Sequence, residues 1–262
     1  MDPCRVGHDG TVLDHAHTQA DHRVRCEWGP TGAAALGRYA DVAVVVDVLS
    51  FTTSVTVAVD RGITVFPFRW GDERAVEFAD EQDANLALQR QDARYRAGAV
   101  SLSPVSLQHA TGIERLVLPS PNGSTICAAL HEAGVRVVAA SLRNAGAVAE
   151  WLAPQVAAGA SVLVVPAGER WPDRSLRPAA EDFWGAGAVL AALDDRLLSP
   201  EARLARAAYD VFAERPLEHL FSCASGVELQ AKGFADDVAL AGRIDSSAVV
   251  PVLTRGAFVG AR

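Results

Sequence analysis

Val42-Ala-Val-Val-Val-Asp-Val48 decides the fold. In α/β proteins a near-continuous apolar run of this kind marks a central strand covered on both faces. Ser50–Thr53 then offers N-cap residues for a helix running to about Asp60. Gly62 closes that helix, and Ile63-Thr-Val-Phe-Pro-Phe68 follows as a second strand, completing a strand-loop-helix-strand unit.

The same alternation extends in both directions. Upstream, Arg23–Trp28 alternates as a strand ending at the turn Gly29-Pro30, and Ala33–Arg38 forms a short helical segment. Downstream, Asp72–Gln91 is charged and helical. Strands are predicted at Arg115–Pro119, Val135–Ala140, Ser161–Pro166 and Val249–Leu253. Helices are predicted at Ile126–Ala133, Asn144–Ala158, Glu181–Leu193 and Pro200–Glu214, with another around Gly226. Strands alternating with helices predict an α/β domain, residues 23–262, with a largely parallel sheet and helices on both faces. Residues 1–22 are polar, carry His8, His15, His17 and His22, and lack an apolar period; a mobile tail is expected there.

Composition narrows the function. The 262 residues suffice for a sizeable core. No apolar run reaches the ~18 residues of a membrane helix. The N-terminus lacks a basic region followed by an apolar stretch, so a cytoplasmic protein is expected. A formal net charge of −8 argues against nucleic acid as a partner, because such binding rests on Lys and Arg neutralising phosphates. Lys232 is the sole lysine, so arginine supplies the positive charge. The four cysteines, Cys4, Cys26, Cys127 and Cys223, form no CxxC pair, which disfavours a zinc or thioredoxin-type site and fits reduced thiols. A homodimer is the default expectation for assembly.

In open α/β sheets, sites form beyond the carboxyl ends of strands. Three polar loops occupy that position: Asp47-Val-Leu-Ser-Phe-Thr-Thr-Ser54, Ser120-Pro-Asn-Gly-Ser-Thr125 and Val165-Pro-Ala-Gly-Glu-Arg170. Each offers small residues, hydroxyl or amide donors, and N–H groups at a helix N-terminus, which together suit phosphate or sulfonate. Asp47 is the least expected residue of its strand. Either it accepts backbone N–H bonds as a structural acid, or it serves a metal. Glu181-Asp182, in the first turn of a helix, either complements the dipole or joins Asp47 in holding Mg²⁺. Glu169-Arg170 supplies either an acid-base group with a phosphate fork or a surface ion pair.

Several signatures are missing. Asp47-Val-Leu lacks the second acid of phosphoaspartyl phosphatases, and no P-loop occurs. Cys127 and Cys223 lack the downstream arginine of a cysteine phosphatase loop. Gly185-Ala-Gly187 lacks the third glycine of a dinucleotide fingerprint and suits close helix packing.

At these loops the chain resembles the 2-phosphosulfolactate phosphatase family. That family shows Asp-Val-(Leu/Phe)-Arg-Ala-Thr-(Thr/Ser), Thr-Thr-Asn-Gly-Thr, Ala-Gly followed by Glu-Asp-x-x-x-Ala-Gly, and a late Ser-x-x-Gly-x-x-Leu. Here they stand as Asp47–Thr53, Ser120–Ser124, Ala167-Gly168 with Glu181–Gly187, and Ser222–Leu229. The resemblance spans about residues 24–258. It implies a three-layer α/β/α fold with internal duplication, in halves near 23–140 and 141–262. It also implies a Mg²⁺-dependent phosphatase acting on a small sulfonated or carboxylated phosphoester. Asp47, Thr52, Thr53, Asn122, Gly123, Glu181 and Asp182 carry over by position.

The departures are Ser50 for the family's arginine, Phe51 for its alanine, and Ser120-Pro121 for Thr-Thr. The nearest remnant of its Gly-Gly-Glu-Arg stretch is Gly71-Asp-Glu-Arg74. The site expected is therefore Asp47, Glu169 and Glu181 as catalytic groups, with Asp47, Glu181 and Asp182 on Mg²⁺. Ser50, Thr52, Thr53, Asn122, Gly123, Ser124, Arg170, Ser225 and Gly226 would line the substrate, Arg170 replacing the missing arginine. Two other readings compete: a non-catalytic binder of a small anionic metabolite, and a hydrolase using Cys127 or Ser225 as nucleophile.

Overall fold

The computed structural model describes residues 15–69, 71–93 and 99–261. Its strands are β1 (Val24–Cys26), β2 (Val42–Val46), β3 (Thr64–Phe68), β4 (Asn85–Leu86), β5 (Arg115–Pro119), β6 (Arg136–Ala140), β7 (Val162–Pro166), the short β8 (Glu169–Arg170) and β9 (Leu176–Arg177), β10 (Pro251–Thr254) and β11 (Ala257–Gly260). The helices are α1 (Gly29–Leu36), α2 (Phe51–Asp60), α3 (Glu73–Glu81), α4 (Arg90–Ala93), α5 (Pro104–His109), α6 (Gly123–Glu132), α7 (Ala145–Ala157), α8 (Ala180–Ala191), α9 (Pro200–Phe212), α10 (Pro216–Ser222), α11 (Ala224–Ala231) and α12 (Ala235–Ala241). None of the described helices is long and apolar enough to cross a membrane.

β2 sits inside a nine-stranded sheet ordered β1-β7-β2-β6-β10-β11-β3-β5-β4. Its period of two divides its side chains between two cores. Val42, Val44 and Val46 pack with α7, α8 and α9, for example Leu152, Val189 and Phe212. Ala43 and Val45 pack with α1, α2 and α6, for example Leu36, Val55 and Ile126. The result is three layers, α/β/α, as the alternation of elements requires. Gly185 and Gly187 are packing residues: a Cβ would lie 2.6 Å from Val48 Cγ2 at the first and 2.2 Å from the Ala205 carbonyl oxygen at the second. Helix α8 is thus wedged between β2 and α9.

The sheet is mixed. β1, β7, β2 and β6 are mutually parallel, as are β3, β5 and β4. The hairpin β10–β11 joins the two blocks through antiparallel pairings, so the blocks run in opposite senses. Its turn, Arg255-Gly256, has φ of 52° and 83°, the left-handed pair that a two-residue hairpin needs. The expected single strand Val249–Leu253 is therefore half of a hairpin. β5 is not a neighbour of β2, from which β6, β10, β11 and β3 separate it. The blocks nonetheless share one core: Leu116 and Leu118 of β5 join Val45, Val137 and Val165 around α2 and α6.

Other departures have local causes. Gly29-Pro30 opens α1, because Pro is tolerated in a helix's first turn. The expected helix Asp72–Gln91 stops at Glu81; Asp83 turns left-handed (φ 47°), and Asn85–Leu86 pairs with β5 at the sheet edge. Of the expected tail, residues 1–14 lie outside the described residues, but residues 15–22 are folded. His15–Thr18 forms a 3-10 turn, Gln19 Nε2 donates to the Cys26 carbonyl (3.0 Å), and Arg25 Nη1 donates to the Thr18 carbonyl (3.2 Å). The expected halves do not separate in the sheet, since β7 lies between β1 and β2.

Candidate active site

Asp47 follows β2 directly and is buried. Its Oδ1 accepts from the Phe51 N–H (3.1 Å) and its Oδ2 from the Gly123 N–H (3.1 Å). Those residues open α2 and α6, so a carboxylate of the chain itself occupies two helix N-termini. Gly123 permits the approach: a Cβ there would lie 2.4 Å from Phe51 Cδ1 and 2.8 Å from Asp47 Oδ2. The loop is locked by its threonines. Thr52 Oγ1 accepts from the Asp47 N–H (2.9 Å) and donates to the Asp47 carbonyl (2.8 Å), while Thr53 Oγ1 donates to the Val48 carbonyl (2.8 Å).

The third loop joins through two acids. Asp182, at the start of α8, accepts from the Val48 N–H (2.7 Å) and the Gly168 N–H (2.9 Å), clamping the first loop to the third. Glu169 accepts from Asn122 Nδ2 (2.8 Å), tying the third loop to the second. Glu181 is 2% exposed beside the Cys223 thiol, and its Oε2 has no close hydrogen-bond partner among the described residues. Burial, opposed by the two N–H bonds and reinforced by the charge of Glu181, pushes Asp47 up to about 6. Burial and the charge of Asp47 push Glu169 up to about 7. Burial and the charges of Asp47 and Glu181 hold Asp182 well above the usual carboxylate range.

Asp47, Ser50, Arg90, Ser120, Asn122 and Glu169 line one pocket of about 230 Å³. Arg90 comes from the short α4. Its Nη2 donates to Ser50 Oγ, its Nε donates to Asp237 Oδ2 (2.9 Å), and its guanidinium lies 5.7 Å from the Phe234 ring centre. Ser50 and Ser54 both donate to the Leu102 carbonyl (3.3 and 3.0 Å).

This arrangement of three loops, two acids and an asparagine in one pocket coincides with a family assignment. The family model described as 2-phosphosulpholactate phosphatase matches residues 32–256. The chain belongs to the 2-phosphosulfolactate phosphatase family. It is 32% identical over 222 residues to the probable 2-phosphosulfolactate phosphatase of Thermus thermophilus, covering 82% of this chain and 89% of the relative. It is 28% identical over 223 residues to the protein of the same description from Deinococcus radiodurans, covering 83% and 90%. The family is one of phosphoric monoester hydrolases.

Within this phosphatase family framework, the structure redistributes the expected roles. Asp47, Ser50, Asn122 and Glu169 meet in the pocket, with Gly123 at its edge. Thr52, Thr53 and Ser124 are fully buried and bond to backbone carbonyls, so their hydroxyls serve the turns rather than a ligand. Nor do the loops present bare N–H groups at Val48, Phe51, Gly123 and Gly168, because Asp47 and Asp182 cover them. Arg170 is exposed and donates to Asn122 Oδ1 (3.2 Å) and the Pro121 carbonyl (3.1 Å), outside the pocket lining. It does not replace the first-loop arginine. Arg74 is an exposed side chain forked onto Asp72, far from such a role.

Ser225 accepts from Arg177 Nη2 (3.2 Å). Gly226 is needed for the corner between α10 and α11, since a Cβ would lie 1.8 Å from the Leu220 carbonyl oxygen. The cysteines are poor nucleophiles: Cys26, Cys127 and Cys223 are unbridged and buried, and burial pushes Cys127 well up and Cys223 up to about 12. Arg90 is the residue sequence reasoning missed. Its only signal was an arginine in a charged stretch, which ordinary surface helices also carry.

Among the described residues, no group of three or more His, Cys, Asp or Glu side chains is arranged to hold a metal ion. Asp182 joins the Val48 and Gly168 N–H groups and, unlike Asp47, is not in the pocket lining, which makes it a clamp rather than the expected ligand. The remaining donors do fit a hard cation. Asp47 and Glu169 line the pocket, and Glu181 carries the unpartnered buried oxygen nearby in charge range of both. Mg²⁺ is commonly held by one or two carboxylates, with water and phosphate completing its shell.

Proposed function

We propose that this pocket hydrolyses a small anionic phosphate monoester, 2-phosphosulfolactate or a close carboxylated analogue, with Mg²⁺ as cofactor. The observation that carries the reading is the convergence of Asp47, Asn122 and Glu169, from three separate loops, on one small pocket beside Arg90. About 230 Å³ suits a metabolite rather than a macromolecule.

Charge supports the cofactor. The pocket is rich in carboxylates, and its loop N–H groups are already occupied. A phosphate dianion entering there needs its charge offset. Mg²⁺ held by Asp47 with Glu169 or Glu181 would supply that offset and polarise the phosphoryl oxygens. Asp47, fixed by two N–H donors, is a rigid anchor. Glu169, with a pKa of about 7, exchanges a proton readily near neutral pH. Asn122 holds its Oε2, which leaves Oε1 to give a proton to the leaving oxygen or to take one from water.

The test is phosphate release from a panel of small phosphoesters, including 2-phosphosulfolactate, with Mg²⁺ and with chelator. Wild-type protein should release phosphate only with the metal, and Asp47→Asn should not. A folded wild type that releases none from any substrate, with or without Mg²⁺, sinks the reading. Thermal stabilisation by the same compounds without release would identify a binder instead.

A further inference from the structure

Helix α9 is apolar on two sides. Its inner side, Ala202, Ala205 and Phe212, is buried in the core beneath α8. The approach is close enough that a Cβ at Gly187 of α8 would lie 2.2 Å from the Ala205 carbonyl oxygen, so α9 is held firmly in place. Its outer side carries Pro200, Leu204, Ala207 and Val211, spaced i, i+4, i+7, i+11 along one face of the helix, and all four are exposed. Leu204 and Val211, 64% and 63% exposed, are the most exposed large apolar side chains among the described residues. One flank of that stripe is charged. Arg203 and Asp210, seven residues apart, lie on it together, and Glu214 follows in the turn that ends the helix. Arg203 gives its Nε and Nη2 to the Asp195 carbonyl (3.2 and 3.1 Å), which leaves Nη1 for another acceptor. Asp210 forms no ion pair or hydrogen bond through its side chain among the described residues. No residue of α9 lines the active-site pocket.

We propose that the outer face of α9 pairs antiparallel with α9 of a second copy of this chain, about a two-fold axis passing between Ala207 and Ala208. The face is complementary to itself in that arrangement. Leu204 meets the partner's Val211, and the two-fold repeats the contact the other way round. The alanines at the crossing let the helix axes approach to about 8 Å. Antiparallel pairing also sets the two charged flanks against each other. With a rise of about 1.5 Å per residue, Arg203 comes within about 3 Å, measured along the axis, of the partner's Asp210. A parallel pair would instead set Arg203 beside Arg203 and Asp210 beside Asp210, which is repulsive. The 13 residues of α9 span about 20 Å, so this contact is at the small end of specific interfaces and a micromolar dimer is expected. The assembly does not depend on the phosphoester reading above.

The experiment is sedimentation velocity of the full chain over a concentration series from about 1 to 300 μM, the range in which an interface of this size associates. Wild-type protein should pass from monomer to dimer. Leu204→Glu and Val211→Glu, each placing a charge in the centre of the contact, should weaken the dimer at least about 100-fold and leave monomer throughout. Both side chains are exposed in the single chain, so the variants should keep the wild-type circular dichroism spectrum. Arg203→Glu alone and Asp210→Arg alone should each raise the dissociation constant at least about tenfold, because each sets like charges across the pair. The double reversal Arg203→Glu/Asp210→Arg should restore dimerisation to within about threefold of wild type, a rescue that requires the two residues to meet across copies. Ala207→Cys, beside the axis, should give a disulfide-linked dimer under mild oxidation at concentrations where the wild type is dimeric. A wild type that stays monomeric over the whole range overturns the proposal. So does any assembly, dimeric or larger, that persists unchanged in Leu204→Glu and Val211→Glu, since it must use another face. Two single charge variants that weaken the dimer without rescue by the double reversal overturn the antiparallel arrangement.

Discussion

Asp47 and Asp237 are both buried aspartates at the same pocket, and their surroundings treat them in opposite ways. Asp237 stands behind Arg90, with a guanidinium on one oxygen and a hydroxyl and an N–H on the other. Asp47 has two backbone N–H donors and, among the described residues, no bonded cation; the acids Glu181, Glu169 and Asp182 are in charge range, and the charge of Arg90 opposes them more weakly than Glu181 acts. The N–H bonds do not outweigh burial, and Asp47 rises to about 6. A carboxylate paired with a cation is a structural part, whereas one bonded by backbone dipoles among other acids is poised to take a proton or a metal. The pocket keeps one of each kind.

The comparison can be broken at either acid. The largest effect is expected at Asp47→Asn, which removes the anchored carboxylate. Phosphate release should fall by about 10³-fold, roughly 4 kcal/mol of barrier, in a protein whose circular dichroism is unchanged. At the other acid the cost falls on stability. Asp237→Ala leaves Arg90 without its buried partner and should cost about 3 kcal/mol in denaturant unfolding, more than Asp237→Asn, which keeps a polar acceptor. Gly123→Ala forces a methyl against Phe51 and Asp47. It should cost about 2 kcal/mol and disturb activity through the displaced carboxylate.

Glu169→Gln sharpens the electrostatic half of the contrast. The folded pKa of Glu169, about 7, lies above the ordinary 4.5, so the native state holds its proton more tightly than the unfolded chain does. The stability this contributes is fully present below about pH 4.5 and is lost as pH rises through about 7. Glu169→Gln should therefore melt higher than wild type at about pH 8 and alike at about pH 4, and the pH–rate limb near 7 should vanish. An unchanged melting difference across that range removes the acid cluster as its cause. The smallest effect belongs to Arg74→Ala. The exposed Arg74–Asp72 pair should contribute no measurable stability and nothing to turnover.

Much of this was legible because it is local. The valine run had to be a buried strand, and Asp47 in it had to have partners. Three polar loops before helices come together around one pocket, and the order of motifs pointed to the family that the chain belongs to. The errors are also informative. Thr52, Thr53 and Ser124 have the residue types of a phosphate cradle, but a hydroxyl beside a helix start satisfies its own backbone first. Arg170 lay in the expected loop yet turned outward to Asn122, whereas Arg90 lay in an unremarkable stretch yet turned inward.

The sequence by itself determined the strands, the helices that cover them, and the presence of buried acids at strand ends, because periodicity and capping act over a few residues. Only the tertiary structure decided that two opposed parallel blocks meet through the β10–β11 hairpin, that Gly123 reaches Asp47, and that Arg90 enters the pocket from α4. The Arg90–Ser50 and Gly123–Asp47 contacts join residues 40 and 76 positions apart, the hairpin pairs with strands still more distant, and all depend on how buried layers pack, which no local pattern encodes.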